Sequence, residues 1–569
     1  MAVARVKILF VARHFTYFRN YESVIAALAQ RGHQIHLAAE RDEYLGGRAM
    51  VERLVAEYPT SISFGWISDR EDLWTTFVTK LRMTLDYLRY LEPAYSATPK
   101  LRARAKERVP RLGLWLLAIS GARTRSGRRL LRAALTSCER AVPRSRRIDA
   151  YLSEHLPDIV LFTPLLGVVI SPQLDYLESA KALGVPTALC VWSWDHLSSK
   201  AILRNVPDRV FVWNDVQRHE AVTMHDVPAE QIVVTGAQCF DQWFDRRPSL
   251  DRTAFCASVG LPDRPYLLYV CSALFQGSVN EAQFVRRWIR ELRTSGMEPL
   301  ASTPILVRPH PARLSEWDDV DLSSEAGVAV WGRNPVDPEA RDGYYNSLYH
   351  SAAVVGLNTS AFLEGAIVGR PVFTTLLPEH HENQRGTIHF HYLMTVGPGL
   401  LHTTSTLPEH FEQVNASLAA NEQTCVRSGT FVEAFIRPHG IEVPATPIFV
   451  GEVEKLGTLD VGSSRDAIGR GLLRAALTPL AALARVPAAV PLVSSAHERT
   501  IAARDRAHRK QVAAAWQVKD ALKDAEQRQK EVRLAQRQRD KERRTAEWRR
   551  AKAMNKLKQR IKKRIGLAS

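Results

Sequence analysis

Short apolar runs alternate with amphipathic stretches along most of the chain. Residues 6–12 are almost continuously apolar, residues 20–31 carry apolar side chains at helical spacing, and 34–39 is apolar again. A strand, a helix and a second strand in this order predict a βαβ unit with parallel strands. Later apolar runs at 158–163, 186–192, 208–213 and 231–235 extend the sheet. A helical segment around 173–183 lies between the first two of these runs.

A second series of the same kind begins at 266–270 and continues to about 445. The stretch between the two series, 241–265, is polar and contains proline, as expected of an interdomain linker. The pattern therefore predicts an α/β protein with two Rossmann-like domains, 1–245 and 246–445.

Two other stretches lack the strand signal and are predicted to be helical. Residues 66–150 form an arginine-rich insertion in the first domain, and 495–569 form a basic tail without proline or glycine between 496 and 565. Residues 446–494, rich in alanine, leucine and proline, are predicted to be a linker. Because the apolar positions of the tail keep no heptad, the sequence does not favour a regular coiled coil.

The amino-acid composition limits the class of protein and the cellular compartment to be expected. The 569 residues are 45% hydrophobic and 24% charged, which is ordinary for a globular protein. The six cysteines are scattered without a Cys-x-x-Cys pair, which favours a reducing compartment and argues against a zinc ribbon. The first apolar run is too short for a signal-peptide core and no uncharged apolar run reaches membrane-spanning length, so we expect a cytoplasmic protein.

The net charge of +17 is concentrated in two stretches. Residues 100–147 hold 15 basic and two acidic residues, and 496–569 hold 24 basic and nine acidic residues. Such patches seek an anionic partner, either a lipid surface or nucleic acid. We expect both stretches to dock on the inner face of the plasma membrane, whereas solvated helices that pack one face on the domain explain the pattern equally well.

The second domain holds residues suited to a nucleotide diphosphate. Arg308 and His310 follow the apolar strand 304–307, at the carboxyl edge where open α/β sheets bind ligands. Farther along, Thr359 and Ser360 stand where a helix begins, and its free N–H groups favour phosphate. Glu364 lies one turn later on the same face, where a carboxylate can accept hydrogen bonds from sugar hydroxyls. A proline-rich turn and an ordinary capped helix are the alternatives.

The first domain holds candidates for catalysis and for acceptor binding. The segment after the strand at 186–191 contains Trp192, Trp194, Asp195 and Lys200. The tryptophans offer flat faces to a sugar ring, Lys200 suits a phosphate, and Asp195 is the first candidate for a general base. His14 follows strand 6–12 and is the second candidate, since imidazole accepts a proton near neutral pH.

The histidine-rich segment 379–391 looks like a metal site, but its spacing fits no standard zinc motif. We expect Gln384, with His389 as a further candidate, to contact donor or acceptor, and we expect no metal and no cofactor. Exposed loop histidines without a function are the alternative.

Together these motifs resemble the GT-B glycosyltransferases, over roughly residues 5–445. The resemblance rests on Arg308-Pro-His310-Pro, on Asn358-Thr-Ser360 through Glu364, and on His14 with Arg31-Gly-His33. It is closest to the bacterial surface-polysaccharide and CDP-glycerol glycerophosphotransferase-like branch, although Leu-Asn-Thr-Ser stands where that branch carries Asp-Tyr-Ser-Ser.

The resemblance implies two domains facing across a cleft, with the nucleotide donor on the second domain and the acceptor on the first. Arg308, His310, Thr359 and Ser360 would then contact the donor phosphates, and Glu364 would contact the ribose. The function it implies is transfer of a sugar or polyol phosphate to a cell-surface glycan or lipid-linked acceptor.

Two alternatives remain open at this point. A nucleotide-sugar 2-epimerase shares the fold and needs no acceptor. A non-catalytic nucleic-acid or assembly protein could act through the basic tail, although its only tryptophans, Trp516 and Trp548, are fewer than single-strand binders use.

Overall fold

The computed structural model describes residues 5–41, 46–119, 121–122, 124–335, 337–419, 423–462 and 468–564. These residues divide into two units, 1–495 and 496–569. The end of the predicted tail, 565–569, lies outside the described residues.

The first sheet has seven parallel strands in the order β3-β2-β1-β4-β5-β6-β7. Six of them follow the Rossmann order, in which the chain winds outward from a central strand in both directions. All the strands predicted for the first domain are present, and the sheet gains an edge strand at 62–66. The strands are β1 Lys7–Ala12, β2 Gln34–Ala39, β3 Ile62–Trp66, β4 Ile159–Thr163, β5 Thr187–Cys190, β6 Arg209–Val212 and β7 Ile232–Val234.

Helices cover both faces of this sheet, because its strands are apolar on both sides. The helices of the first domain are α1 Glu22–Gln30, α2 Gly47–Glu57, α3 Thr75–Arg89, α4 Pro99–Arg108, α5 Arg111–Ile119, α6 Arg125–Ala141, α7 Arg146–His155, α8 Gln173–Ala182, α9 His196–Ser199, α10 Asp215–His225 and α11 Asp241–Asp245. The predicted insertion at 66–150 is thus helical from α3 to α6.

The second sheet has six parallel strands in the order β10-β9-β8-β11-β12-β13, again the Rossmann winding. Its strands are β8 Tyr266–Val270, β9 Ile305–Arg308, β10 Val328–Val330, β11 Ser351–Gly356, β12 Val372–Thr375 and β13 Leu401–Thr404. Its helices are α12 Arg252–Val259, α13 Glu281–Arg293, α14 Pro338–Tyr349, α15 Ala361–Ile367, α16 Ile388–Thr395, α17 Leu407–Ala419 and α18 Gln423–Phe435. Short 3-10 helices lie at Phe15–Tyr21, Pro93–Tyr95, Ala229–Gln231, Gln238–Phe240, Leu300–Ser302, Pro311–Trp317, Pro378–Asn383 and Pro487–Ala489.

The remaining helices are α19 Ala445–Leu456, α20 Ile468–Leu483, α21 Val490–Val493 and α22 Ala496–Arg564. Helix α19 returns to the first domain, where Phe449, Val450 and Val453 join the core that contains Ile8 and Phe10. The prediction of a plain linker at 446–494 is therefore corrected. The physical reason is that α19 carries apolar side chains at helical spacing and buries them on the first sheet.

The insertion is fixed to the first domain by buried ion pairs. Asp175 of α8 accepts hydrogen bonds from Arg82 Nη1 at 2.8 Å and from Arg70 Nη1 at 3.1 Å. Arg82 and Arg204 also share Glu139 of α6, at 2.8 and 2.9 Å. Mutual pairing of this kind makes buried charges tolerable, so Arg70 and Arg82 of the insertion serve the interior.

Helix α22 forms the second unit and runs for 69 residues. Among the described residues, no single helix is long and apolar enough to cross a membrane. One sharply bent pair of helices, at 470–483 and 487–493, satisfies the length and composition requirement together.

Candidate functional site

Segments that follow the strands of the two sheets meet at the carboxyl edges. Trp194, after β5, lies edge-on to His389 of α16 with ring centroids 4.8 Å apart. Arg104 of the insertion stands over the ring of Phe275, which follows β8, at 5.5 Å. The two domains therefore contact each other at these edges, with helix α4 of the insertion reaching the second domain.

Arg308 ends β9 and is almost completely buried. Its guanidinium lies 4.4 Å from the ring centroid of Tyr344 and donates a hydrogen bond from Nη2 to the carbonyl of Arg333 at 2.6 Å. Its Nη1 group is buried without a hydrogen-bond partner. Gly332 makes room for it, because a Cβ there would lie only 2.4 Å from Nη1. A fixed guanidinium with one unused N–H edge is suited to an anion.

His310 follows two residues later and is half-buried. Its Nδ1 accepts a hydrogen bond from the backbone N–H of Ala312 at 3.2 Å. Burial, with the charge of Arg313, lowers the pKa of His310. At neutral pH the ring is therefore neutral, and because Nδ1 is an acceptor, Nε2 carries the hydrogen and can donate it to a ligand oxygen.

Glu364 lies on α15 and accepts a hydrogen bond from the hydroxyl of Tyr344. Burial raises its pKa to about 7, although the bond from Tyr344 and the charges of Arg19 and Arg308 oppose the rise. Arg308, His310, Tyr344 and Glu364 are referred to below as the Arg308 cluster. Sequence reasoning missed Tyr344, because only the packing of α14 beside α15 brings it to the carboxylate.

Thr359 and Ser360 stand where the sequence placed them, between β11 and α15. Thr359 is half-buried, and its Oγ1 lies 3.4 Å from the backbone nitrogen of Ala361. Ser360 is exposed and its side chain makes no capping hydrogen bond. Both residues directly precede α15, the seven-residue helix that carries Glu364.

Gln384 is fixed by its amide nitrogen, and its predicted contact with donor or acceptor stays a prediction. The side chain is buried, and its Nε2 donates to Leu357 O at 3.1 Å and to Thr374 Oγ1 and Thr375 O at 3.0 Å. These bonds fix the segment after β12 to the ends of two strands. Its amide nitrogen therefore braces the loop, because buried strand-end carbonyls require donors, whereas its Oε1 is buried without a hydrogen-bond partner among the described residues.

Asp195 lies at the centre of a dense group in the first domain. Its carboxylate accepts hydrogen bonds from Lys200 Nζ and Ser199 Oγ at 2.9 Å and from Ser193 Oγ at 2.6 Å. Burial would raise the pKa of Asp195, but the charges of Lys200 and His389 and these bonds hold it well below its usual range. Ser193, Asp195, Ser199, Lys200 and His389 are referred to below as the Asp195 cluster.

This geometry changes the roles expected of Asp195 and Lys200. A carboxylate with a strongly lowered pKa is a weak base, so Asp195 is poorly suited to remove a proton from a hydroxyl. Lys200 is engaged by Asp195 and is not a free phosphate ligand. The physical reason is that both follow β5 on one short helical turn, where the two charges pair more favourably than either could remain alone.

The two tryptophans occupy different positions. Trp192 is half-buried and packs edge-on against Tyr17 at 5.0 Å. Trp194 is buried against His389. The prediction that its ring offers a flat face to a sugar is therefore wrong. His14 is half-buried at the end of β1, with its ring 4.5 Å from that of Tyr17. Of these three side chains, His14 and Trp192 both contact Tyr17.

Sequence reasoning also missed a group of arginines in the first domain. Arg104 and Arg108 of α4 line a small cavity of 30 Å³ together with Lys200 and Gly167. Arg13 Nη1 reaches the same place, since a Cβ on Gly167 would lie 3.0 Å from it. Burial and the neighbouring charge of Arg104 lower the pKa of Arg108. Asp86 also lines the cavity but is paired with Arg204, so the remaining positive charge of Arg13, Arg104 and Arg108 favours an anionic group.

Within the described ranges, no group of three or more histidine, cysteine, aspartate or glutamate side chains is placed to hold a metal ion.

No family model matches the chain, and no curated protein matches its sequence. The UDP-GlcNAc 2-epimerase from Neisseria meningitidis bound to UDP-GlcNAc is similar in structure, with 11% identity, 79% of this chain and 100% of that chain covered, and a TM-score of 0.45. A glycosyltransferase from Rickettsia africae gives 10% identity, coverage of 81% and 100%, and a TM-score of 0.44. The calicheamicin glycosyltransferase CalG4 has 12% identity, 79% of this chain and 98% of that chain are covered, and the TM-score is 0.39.

These likenesses concern overall fold and carry no information on substrate. The topology described above, two parallel sheets with Rossmann winding, confirms the predicted α/β fold class and the GT-B architecture. The comparisons lend no support to the CDP-glycerol branch.

Proposed function

We propose that the protein is a GT-B-type transferase that moves a sugar or polyol phosphate from a nucleotide-activated donor. The observation that carries this proposal is the Arg308 cluster. It offers an unused, buried guanidinium edge and a neutral imidazole donor for a diphosphate, with a carboxylate of near-neutral pKa close by.

In this proposal, each group of the cluster has a distinct task. Arg308 and His310 would bind the donor phosphates and stabilise the negative charge that grows on the leaving diphosphate. Thr359 and Ser360 would add hydrogen bonds from the start of α15, and Glu364 would accept hydrogen bonds from the ribose. We expect the reaction to proceed without a metal, and activity in the presence of a chelator would test that expectation.

The acceptor would lie on the first domain beside Trp192. His14 becomes the preferred base, because the paired carboxylate of Asp195 is too weakly basic to remove a proton from a hydroxyl. The positive charge of Arg13, Arg104 and Arg108 supports an anionic acceptor, such as a phosphate-bearing glycan or lipid-linked carrier at the inner face of the plasma membrane.

A thermal-shift screen tests the donor site. We would titrate the full chain with UDP, CDP, GDP, ADP and TDP and their common sugar conjugates, because a ligand bound only by the folded state raises the melting temperature. One base should stand out, and its shift should be lost in Arg308→Ala and Glu364→Ala. The control variant Glu412→Ala changes an exposed carboxylate of α17 and should keep the shift. A shift that survives in both site variants would refute the site, and no shift with any nucleotide would refute the function.

The epimerase alternative is separated by leaving out the acceptor. Incubation with UDP-GlcNAc alone, followed by NMR of the sugar, would give the C2 epimer from an epimerase and unchanged donor from a transferase. Binding of nucleic acid at physiological salt without any nucleotide effect would instead favour a protein that acts through α22.

A further inference from the structure

Large apolar side chains are exposed on each of α5, α20 and α21. Trp115 of α5 is 61% exposed, Leu472 of α20 is 79% exposed and Leu492 of α21 is 57% exposed. Scattered exposed leucines are common in proteins, but neighbouring elements that all expose them indicate an interaction site. We name this set the apolar surface: Leu112, Trp115, Ile119, Leu472, Leu480, Leu483, Val486, Val490 and Leu492.

The elements of the apolar surface are held together by packing underneath. Helix α21 contacts α5, and α20 contacts α6 of the insertion. Leu477 and Ala481 of α20 are buried against Trp74 and Ala141, and Arg474 Nε donates to Ala141 O at 2.9 Å. Helix α20 is therefore apolar on its packed face and also on its outer face. A helix whose outer face meets only water is normally polar on that face.

The charge around the apolar surface is strongly positive. Residues 100–147, which include most of α4 and all of α5 and α6, hold 15 basic and two acidic residues. Residues 468–495 hold three basic residues and no acidic one. An anionic lipid surface complements such a rim, whereas a second copy of the chain would present the same positive rim and be repelled.

Each arm of the bent pair is too short to cross a bilayer. Its first arm, Arg470–Leu483, has a length of about 21 Å at the rise of an α-helix, which is shorter than a hydrocarbon core of about 30 Å. The second arm, Pro487–Val493, turns away by 87°. Neither arm crosses a bilayer, but both can lie in its interface, where a tryptophan such as Trp115 is favoured.

We infer that the apolar surface docks on an anionic lipid bilayer and inserts its leucines and Trp115 into one leaflet. This assigns membrane contact to α5, α20 and α21 and not to the basic tail alone. The inference does not rest on the proposed reaction, because vesicle binding is measured without substrate.

Flotation of the full chain with vesicles tests it. We expect binding to phosphatidylcholine vesicles that contain phosphatidylglycerol, with part of the binding retained at high salt, because apolar insertion is not screened. The double variant Leu483→Ser/Leu492→Ser should lower the vesicle partition coefficient at least about tenfold. The control variant Leu183→Ser/Leu250→Ser changes two exposed leucines elsewhere and should bind as the wild type does. Equal binding by both double variants would overturn the inference.

Tryptophan quenching by brominated lipids separates the apolar surface from the tail. Trp115 and Trp548 are both 61% exposed, one on α5 and the other on α22. Trp115→Phe should remove a quenched component of the fluorescence and Trp548→Phe should not. The opposite result would assign insertion to α22 and overturn the inference. Sedimentation of the protein without lipid gives a further test. A dimer that the Leu483→Ser/Leu492→Ser variant abolishes would also overturn the inference.

Discussion

The hydroxyl of Tyr392, in the second domain, donates a hydrogen bond of 2.7 Å to Oε1 of Glu220, in the first domain. Glu220 is completely buried, and burial raises its pKa to about 7, against the opposing effect of the bonds from Tyr392 and Ser198. A carboxyl group that changes charge near neutral pH therefore lies at the contact between the two domains.

This contact predicts a pH-dependent stability. Because the folded pKa of Glu220 lies above its ordinary value of 4.5, its contribution to stability is present below about pH 4.5 and is lost as pH rises through about 7. Tyr392→Phe should destabilise the protein by about 1–3 kcal/mol, and more at pH 8 than at pH 6, since the donor then leaves a charged acceptor unsatisfied. Urea denaturation at both pH values measures this. In a Glu220→Gln background the difference between the two pH values should vanish.

The pair of Asp195 and Lys200 makes a prediction for the acid side. The lowered pKa of Asp195 means that its contribution to stability is present above its ordinary pKa of 3.8 and is lost as pH falls through the folded value. Lys200→Met should raise the pKa of Asp195 and cost about 1–3 kcal/mol at neutral pH. It should also flatten the decline of the melting temperature in acid. Lys200→Arg should keep most of the stability and of the decline of the melting temperature in acid. An unchanged decline in Lys200→Met would contradict the prediction.

Glu364 predicts a pH-dependent affinity for the nucleotide donor. If ribose binding needs the ionised carboxylate, a pKa of about 7 leaves only a small fraction competent at pH 6 and most of it competent at pH 8. The dissociation constant should then fall by about tenfold between these values. Calorimetric titration of wild type and Glu364→Gln checks this, and the comparison removes the titration of the nucleotide phosphate. The same pH dependence in Glu364→Gln would exclude Glu364 from ribose binding.

The buried ion pairs of the insertion predict a large loss of stability from a small change. Asp175→Asn would leave Arg82 and Arg70 without their shared carboxylate and should cost about 3–5 kcal/mol. Asp215→Asn, at an exposed position on α10, should cost no more than about 0.5 kcal/mol. Denaturation curves of the two variants give the comparison, and similar costs for both would show that the network adds little.

The fold could be predicted from the sequence to a large extent, because apolar strands alternate with amphipathic helices in both domains. The periodicity at 6–39 and at 354–374 specifies βαβ units, and their parallel strands bring Arg308 and Glu364 to one edge of the sheet. The excess of arginine in the insertion was a poorer guide to structure than this periodicity. Arg70 and Arg82 pair with Asp175 and Glu139 in the interior, and no sequence pattern reveals partners so far apart along the chain.

By itself the sequence determined the two parallel domains, the helical insertion, the long basic helix and the segments that carry candidate chemistry. These features depend on local periodicity and on residues that follow strands, which are properties of short stretches of chain. Tertiary structure alone decided the state of each group. It paired Lys200 with Asp195, buried Gln384 as a brace, placed Tyr344 beside Glu364 and returned α19 to the first sheet. The reason is that pKa values, hydrogen-bond partners and exposure depend on burial and on charges that are distant in sequence and adjacent only in the folded chain.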